Sequence, residues 1–185
     1  MLLFHNEYVT SPEYNNLRQF VSNGGMIVFT EANALYAEVS YNNTNDTITL
    51  VKGHEWKFDG KSASRSIGER WLAENKEWTG SNFLDIPSTF KISYQNNPFN
   101  YTNGEEQYVT NPHAKILLDY RASFSSDKYP NATVATYQMD YGKGKIINLG
   151  IWGHELIKNA AFLNYFDNVI MQIALGSTDK SSGMR

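Results

Sequence analysis

The sequence contains no cysteine. This absence excludes disulfide bonds, thiolate zinc sites and a cysteine nucleophile, although it leaves the compartment open. An excess of positive charge is also missing: the formal net charge is −3, and Lys and Arg are scattered. We therefore expect neither nucleic acid nor an acidic membrane surface as a partner. No apolar run approaches the roughly 20 residues of a membrane span, so no membrane insertion is expected.

What is present is a globular composition, with 41% hydrophobic and 14% aromatic residues in 185 positions. We predict a single domain over residues 1–176, an insertion at 41–110 and a flexible tail at 177–185. The first residues resemble the middle of a strand, which indicates a fragment of a longer protein. Four Asn-x-Thr sequons favour an extracellular or cell-surface parent, although the localisation stays undetermined. They begin at Asn42, Asn45, Asn100 and Asn131.

The N-terminal pattern predicts a strand, a helix and a second strand. Residues 2–4 are apolar, and Ser11 before Pro12 is a typical helix N-cap. The glycines at 24 and 25 would end this helix, and the apolar run 26–30 would form a buried parallel strand. We expect a right-handed βαβ unit, with the second strand running directly into another helix.

The rest of the chain is predicted in less detail. Residues 48–51 indicate a short strand paired with residues near Trp56 and Phe58, and a capping box at 66–69 predicts a helix over 67–76. Later, three strands are expected over 115–120, 133–140 and 145–151, the last two joined by a tight turn. A long apolar-faced helix would then end at Gly176.

Polar and titratable residues follow three of the predicted strands. In an open parallel sheet, ligands bind beyond the carboxyl ends of the strands, so neighbouring parallel strands would bring these clusters together. The candidate ligand-binding residues are His5, Asn6, Glu7, Glu31, Asn33, His154 and Glu155. Histidine and carboxylate side chains are suited to acid–base chemistry, or to a divalent metal held by two imidazoles and a carboxylate. The simpler alternative is that polar residues collect where a chain turns into solvent, and that Glu31 and Glu155 favour helix N-termini.

Two segments resemble the class I glutamine amidotransferase-like superfamily, and its trehalose-utilisation-like branch in particular. They are "LRQFVSNGGMIVFTEAN" and "ATVATYQMDYGKGKIINLGIWGHE". With the order of elements, the resemblance implies a three-layer flavodoxin-like α/β sandwich with a mostly parallel sheet, a C-terminal β-hairpin and an irregular insertion. It places His154 and Glu155 at the positions of the family's catalytic His and its carboxylate partner. The nucleophile elbow would fall at 30–32, where the family needs a Cys that this chain lacks, so glutamine hydrolysis is not expected.

The leading functional hypothesis is a non-catalytic domain that binds a small polar molecule or carbohydrate, without a cofactor, or that serves as an interaction domain through residues 41–110. The alternative is a hydrolase using a His/Glu acid–base or metal site; no particular metal ligand is predicted. A third hypothesis is a purely structural subunit. Four aromatic residues in the middle of the chain would either stack on sugars or pack a small core, and core packing is their more usual role. These are Trp71, Trp78, Tyr94 and Tyr101.

Overall fold

The computed structural model describes residues 1–32, 34–53, 69–84, 98–99, 106–120, 132–151 and 153–176, with the backbone alone at positions 84, 106, 154 and 155. The strands are β1 (Leu2–Leu3), β2 (Tyr8–Val9), β3 (Met26–Phe29), β4 (Ala37–Asn42), β5 (Thr47–Lys52), β6 (Ser81–Leu84), β7 (Glu106–Val109), β8 (Lys115–Asp119), β9 (Ala135–Tyr141) and β10 (Gly144–Asn148). The helices are α1 (Ser11–Ser22), α2 (Leu72–Trp78), a 3₁₀ helix (Gly153–Leu156), α3 (Ala160–Tyr165), a π-helical turn (Phe166–Ile170) and α4 (Met171–Ala174).

The largest sheet has five strands in the order β1-β3-β10-β9-β8. β1, β3 and β10 run parallel to one another, whereas β9 is antiparallel to both β10 and β8. The α/β class and the β9–β10 hairpin are thus confirmed. The sheet is mixed rather than mostly parallel, because a tight turn returns the chain antiparallel whereas a parallel partner needs a crossover. A flavodoxin-like sheet is therefore not supported.

Two smaller sheets accompany it, one in the order β2-β4-β5 and one formed by the antiparallel pair β6 and β7. The prediction that a helix follows β3 is wrong, because the next element is the strand β4. Leu35 adopts a positive φ of 55°, and the amides of Tyr36 and Ala37 both donate to the carbonyl of Glu7, at 2.8 and 3.0 Å. These bonds place the chain beside β2 as a strand. β5 then pairs with β4; Trp56 and Phe58 lie outside the described residues.

The first helix begins one residue earlier than predicted. Thr10, not Ser11, is the N-cap, and its hydroxyl accepts a hydrogen bond from the Glu13 amide at 3.3 Å. The face of α1 formed by Tyr14, Leu17 and Val21 is buried, as its spacing predicts. In the middle of the chain α2 begins at Leu72 and ends at Trp78, later than the predicted helix over 67–76. Its predicted capping box begins outside the described residues.

Both faces of the five-stranded sheet are covered by apolar side chains. On one face Val28, Ile147 and Leu149 pack with Phe162 and Ile170 of the C-terminal helical segment. On the other face the core consists chiefly of Ile27, Phe29, Ile146, Leu17, Val21, Trp71 and Trp78. Each fully buried side chain of this size contributes about 1.5–3 kcal/mol, so these two clusters supply the main driving force for folding.

The predicted boundaries at 41–110 and 177–185 stay predictions. The tail at 177–185 lies outside the described residues, as does much of the insertion. Within the described ranges, no helix is both long enough and apolar enough to cross a membrane.

Candidate functional site

The carboxyl ends of β1, β3 and β10 lie side by side at one edge of the main sheet. The Thr30 amide donates to the Leu3 carbonyl at 3.0 Å, which joins the ends of β1 and β3. The Leu149 amide donates to the Phe29 carbonyl at 3.0 Å, and the Gly153 amide donates to the Thr30 carbonyl at 2.8 Å. The backbone therefore brings together the three segments that follow these strands and carry the predicted site residues. We call these segments the exits of β1, β3 and β10.

The first exit places a buried carboxylate beside an imidazole. Glu7 is 8% exposed, and its Oε2 lies 3.4 Å from Nε2 of His5, whose side chain is about half exposed. The Tyr8 hydroxyl donates to Oε1 of Glu7 at 3.1 Å. Asn6 is partly buried, and its carbonyl accepts a hydrogen bond from the Leu35 amide at 2.8 Å. Hydrogen bonding compensates a buried carboxylate for the loss of water, which is why Glu7 can remain inside.

The second exit carries Glu31, which is only 1% exposed. The segment from 30 to 35 is fixed to the segment from 3 to 6 at both ends, by the Thr30–Leu3 and Leu35–Asn6 hydrogen bonds. Glu31 and His5 thus belong to facing stretches of chain. Asn33 lies outside the described residues.

The third exit leads into the 3₁₀ helix Gly153–Leu156, which contains the backbone of His154 and Glu155. Their side chains are outside the described set, so their part in a site stays a prediction. Gly153 has a clear role here: a Cβ at this position would lie 2.3 Å from the Thr30 carbonyl oxygen. Only glycine lets the two exits approach this closely.

Two of the three non-glycine residues with positive φ in the described ranges lie at the same edge, and the third is Asp46 in the turn between β4 and β5. His5 and Leu35 both have positive φ, at 23° and 55°. Such angles are uncommon for residues other than glycine, and they persist only where the surrounding contacts enforce them. Non-glycine strain of this kind clusters at ligand-binding and catalytic sites, which is consistent with a functional edge.

A buried polar network that was not predicted from the sequence lies beneath these exits. It consists of Ser81, Gln107, Tyr137 and Asn148, each at most 4% exposed. The Asn148 side chain donates to Oε1 of Gln107 at 2.6 Å, and the Ser81 hydroxyl donates to the same oxygen at 2.7 Å. The Tyr137 hydroxyl donates to Ser81 at 2.7 Å, and burial raises the pKa of Tyr137. The one available signal was Asn148 itself, a polar residue in the apolar strand "KIINLG".

Among the described side chains, the edge carries the carboxylates of Glu7 and Glu31 and the imidazole of His5, which can give or take a proton. Such groups bind N–H or O–H groups of a ligand, or perform acid–base chemistry. The described residues contain no group of three His, Cys, Asp or Glu placed to hold a metal ion. Because His154 and Glu155 are described by backbone alone, the metal hypothesis stays a prediction.

The two candidate aromatic residues that the structure describes, Trp71 and Trp78, do not form a sugar platform. Trp71 is 3% exposed and Trp78 is fully buried, and the Tyr14 ring stacks on that of Trp71 with centroids 4.1 Å apart. These two tryptophans belong to the core, as their more usual role predicts. Tyr94 and Tyr101 lie outside the described residues.

Solved structures with a similar arrangement include two β-galactosidases. One is a catalytic mutant of Gan42B, a GH42 β-galactosidase from G. stearothermophilus, at 14% identity and a TM-score of 0.47, covering 95% of this chain and 21% of that chain. The other, from Bacillus circulans sp. alkalophilus, has 13% identity and a TM-score of 0.45, covering 95% of this chain and 22% of that chain. This chain thus spans about a fifth of their length. Likenesses this weak carry no conclusion about its fold or function.

No curated protein matches the chain. A family profile does match residues 1–122, and its description is "N,N-dimethylformamidase beta subunit-like, C-terminal". This match overturns the resemblance to class I glutamine amidotransferase-like proteins and their trehalose-utilisation-like branch. The missing elbow agrees with the correction, since β3 is followed by a turn and a strand rather than by a helix. The matched segment covers well over half of the sequence, and the chain belongs to the N,N-dimethylformamidase beta subunit-like, C-terminal family.

Proposed function

We propose that this domain binds a small polar ligand at the carboxyl edge of β1, β3 and β10. The observation that carries the proposal is the convergence of three parallel strand ends at which two carboxylates, Glu7 and Glu31, are almost fully buried. Open α/β sheets bind ligands at this edge, because the strand ends and their following turns leave a crevice there. Hydrogen bonds to carboxylates held out of water are stronger than hydrogen bonds to exposed ones.

The name of the family narrows the class of ligand. N,N-dimethylformamidase is named for an amide substrate, N,N-dimethylformamide. A small amide or the products of its cleavage is therefore the first class to test, with a monosaccharide as the carbohydrate alternative. That a larger protein containing this domain acts on such an amide is likewise a proposal.

A second candidate is hydrolysis of a small amide, in which His5 and Glu7 act as a proton-transfer pair. It is favoured by the 3.4 Å separation of His5 Nε2 and Glu7 Oε2 and by the amidase in the family name. In this reaction water adds to the amide carbonyl, the C–N bond breaks, and the amine leaves with a proton. An imidazole oriented by a carboxylate can supply the proton transfer in both directions.

The binding proposal is tested by titrating ¹⁵N-labelled protein with N,N-dimethylformamide, formate and glucose in separate NMR experiments. We expect at least one probe to shift the amide signals of residues 5–7, 31–35 and 153–156 in a saturable way. Glu31→Gln keeps the shape of the side chain and should weaken binding by roughly tenfold, since it removes a charge-assisted acceptor. Asp140→Asn is the control, because Asp140 is exposed and pairs with Lys145 at the opposite end of β10.

Two outcomes contradict the binding proposal: saturable shifts confined to other parts of the protein, or no shift with any of the three probes. The hydrolysis candidate is followed in the same samples through the appearance of formate and dimethylamine from N,N-dimethylformamide. His5→Gln and Glu7→Gln should both abolish that release. Binding without release leaves the first proposal intact and removes the second.

A three-layer arrangement of the whole chain also stays a proposal. It is supported by the apolar clusters on both faces of the five-stranded sheet. Solution scattering and an experimental structure of the complete chain would test it.

A further inference from the structure

Beneath the carboxyl edge, two side-chain amides connect the exit of β10 to the exit of β3. The Gly150 amide donates to Oδ1 of Asn148 at 2.7 Å, and Nδ2 of Asn148 donates to Oε1 of Gln107 at 2.6 Å. Nε2 of Gln107 then donates to the Ala34 carbonyl at 3.4 Å, the longest of the three bonds. We call these three hydrogen bonds the amide relay.

The amide relay is costly to build, which indicates that it does more than fill space. Asn148 is fully buried at the end of an apolar strand, and Gln107 is only 4% exposed. An aliphatic side chain at either position would bury apolar surface without the penalty of desolvating an amide. Hydrogen bonding repays that penalty only if the partners are fixed in place, so the relay constrains what it connects.

Amides complete the relay in this order, whereas ionised carboxylates cannot. Each of the two side chains must accept a hydrogen bond through its oxygen and donate one through its nitrogen. An ionised carboxylate at position 148 would still accept from Gly150, but it would face the Gln107 oxygen without a proton to donate. The direction of donation therefore runs from Gly150 to Ala34.

Gln107 also holds the β10 exit through its backbone, because its amide donates to the Gly150 carbonyl at 2.8 Å. One residue of β7 thus contacts both exits: Ala34 follows Glu31 by three residues, and Gly150 precedes His154 by four. We propose that Asn148 and Gln107 are positioning residues that fix the separation of the Glu31 turn and the turn into the 3₁₀ helix. Their role in binding rests on the proposed function, whereas their coupling of the two turns does not.

The test compares three variants by NMR: Asn148→Asp, Gln107→Glu and Ser81→Ala. Asn148→Asp removes the central donor of the relay and, with it, the longer 3.4 Å hydrogen bond from Asn148 to Ser81. Gln107→Glu removes the donor to Ala34 and keeps the acceptor. Ser81→Ala is the matched control, because Ser81 is 1% exposed and donates to the same Gln107 oxygen but bonds to neither turn.

With the new carboxyl group ionised, at neutral pH or above because burial raises its pKa, we expect Asn148→Asp to shift the amide signals of residues 31–36 and of 149–153 together. Ser81→Ala should leave both sets near their wild-type positions. Lowering the pH protonates the new carboxyl group, which can then donate to Gln107. Both sets of signals should return toward the wild-type positions along one titration curve. Relief of a buried charge alone restores the residues around position 148 but does not require residues 31–36 and 149–153 to follow one titration curve.

The probe that binds wild type best should bind Asn148→Asp roughly tenfold more weakly at neutral pH, relative to wild type at the same pH. If no probe binds wild type, the proposed function fails while the amide signals still decide the coupling. Signals that move in only one turn, or that move equally in Ser81→Ala, overturn the positioning proposal. If Asn148→Asp does not fold at neutral pH, Gln107→Glu decides by the same criteria.

Discussion

Gly153 and Thr30 are in direct backbone contact: the Gly153 amide donates to the Thr30 carbonyl oxygen at 2.8 Å, across the ends of two parallel strands. This bond joins two parts of the chain that are more than a hundred residues apart in sequence. It requires the absence of a side chain, because a Cβ on Gly153 would stand 2.3 Å from the same oxygen.

Gly153→Ala should therefore destabilise the protein by about 1–3 kcal/mol, the usual cost of forcing extra volume into a packed site. Urea unfolding at fixed pH measures the loss. Gly25→Ala is a matched control, since its new Cβ would lie as close as 2.4 Å to the Phe20 ring, but Phe20 is 40% exposed and can turn away. Equal losses in the two variants would contradict the special role of Gly153.

Replacing Tyr14 with Phe should cost about 1–3 kcal/mol, because two buried polar groups would lose their partner. The Tyr14 hydroxyl accepts from Trp78 Nε1 at 2.8 Å and donates to Asn75 Oδ1 at 3.0 Å. Chemical unfolding would detect the change. Tyr41→Phe removes an exposed hydroxyl that bonds to Asp46, and it should stay within about 0.5 kcal/mol of wild type. A Tyr14→Phe protein as stable as wild type would show that water can replace the hydroxyl.

Glu69 should make the stability of the protein fall as pH rises. Burial raises the pKa of this carboxyl, whose oxygens are held by the neutral donors Asn75 Nδ2, Asn82 Nδ2 and the Phe83 amide. A raised pKa means that the folded state binds the proton more tightly, so stability present below the unfolded pKa of about 4.3 is lost as pH rises through the folded value.

The free energy of unfolding of wild type minus that of Glu69→Gln should accordingly decrease from pH 4 upward. This holds whatever constant offset the new amide introduces. Unfolding curves collected at several pH values give the difference directly. Asp140→Asn, at an exposed carboxyl, should show no such trend. A difference that increases with pH would mean that Glu69 is stabilised as an anion.

The N-cap assignment predicts that removing two neighbouring hydroxyl groups will have different effects on stability. Thr10→Ala should destabilise the protein by about 1 kcal/mol, since the Thr10 oxygen satisfies the Glu13 amide at the start of α1. Ser11→Ala should change stability by less than about 0.5 kcal/mol, because Ser11 is already inside the helix. Thermal unfolding of both variants is sufficient, and the reverse order of effects would restore Ser11 as the cap.

Local patterns in the sequence were enough for much of the secondary structure. The spacing of Tyr14, Leu17 and Val21 predicted the buried face of α1, and the turn before Gly144 predicted the hairpin. The helix expected after β3 was wrong because "ANALYAEV" is rich in helix-forming residues. Its conformation is decided by hydrogen bonds to the distant carbonyls of Asn6 and Glu7, which no local propensity contains.

The candidate site was predictable only in outline. Parallel neighbours bring strand ends together, so the convergence of residues 5–7, 31 and 153 followed from the order of elements. The amide relay did not follow, since Gln107 comes from a segment without a clear pattern. The family resemblance was wrong for a similar reason, since two glycines between a helix and a strand occur in many βαβ units. Gly24 adopts a φ of 110° where α1 ends, and glycine is the usual residue at the end of a helix in any such fold.

The position of β10 between β3 and β9 limits which fragments of this protein can fold. The family match stops at residue 122, yet a fragment cut there would lose β9 and β10, the two strands that lie between β3 and β8. β3 would keep β1 but present its other rim to solvent, ready to pair with other chains, and β8 would have no neighbour in the main sheet. The segment that the family profile matches is thus shorter than the smallest piece expected to fold, and a cut at residue 122 should yield aggregated material.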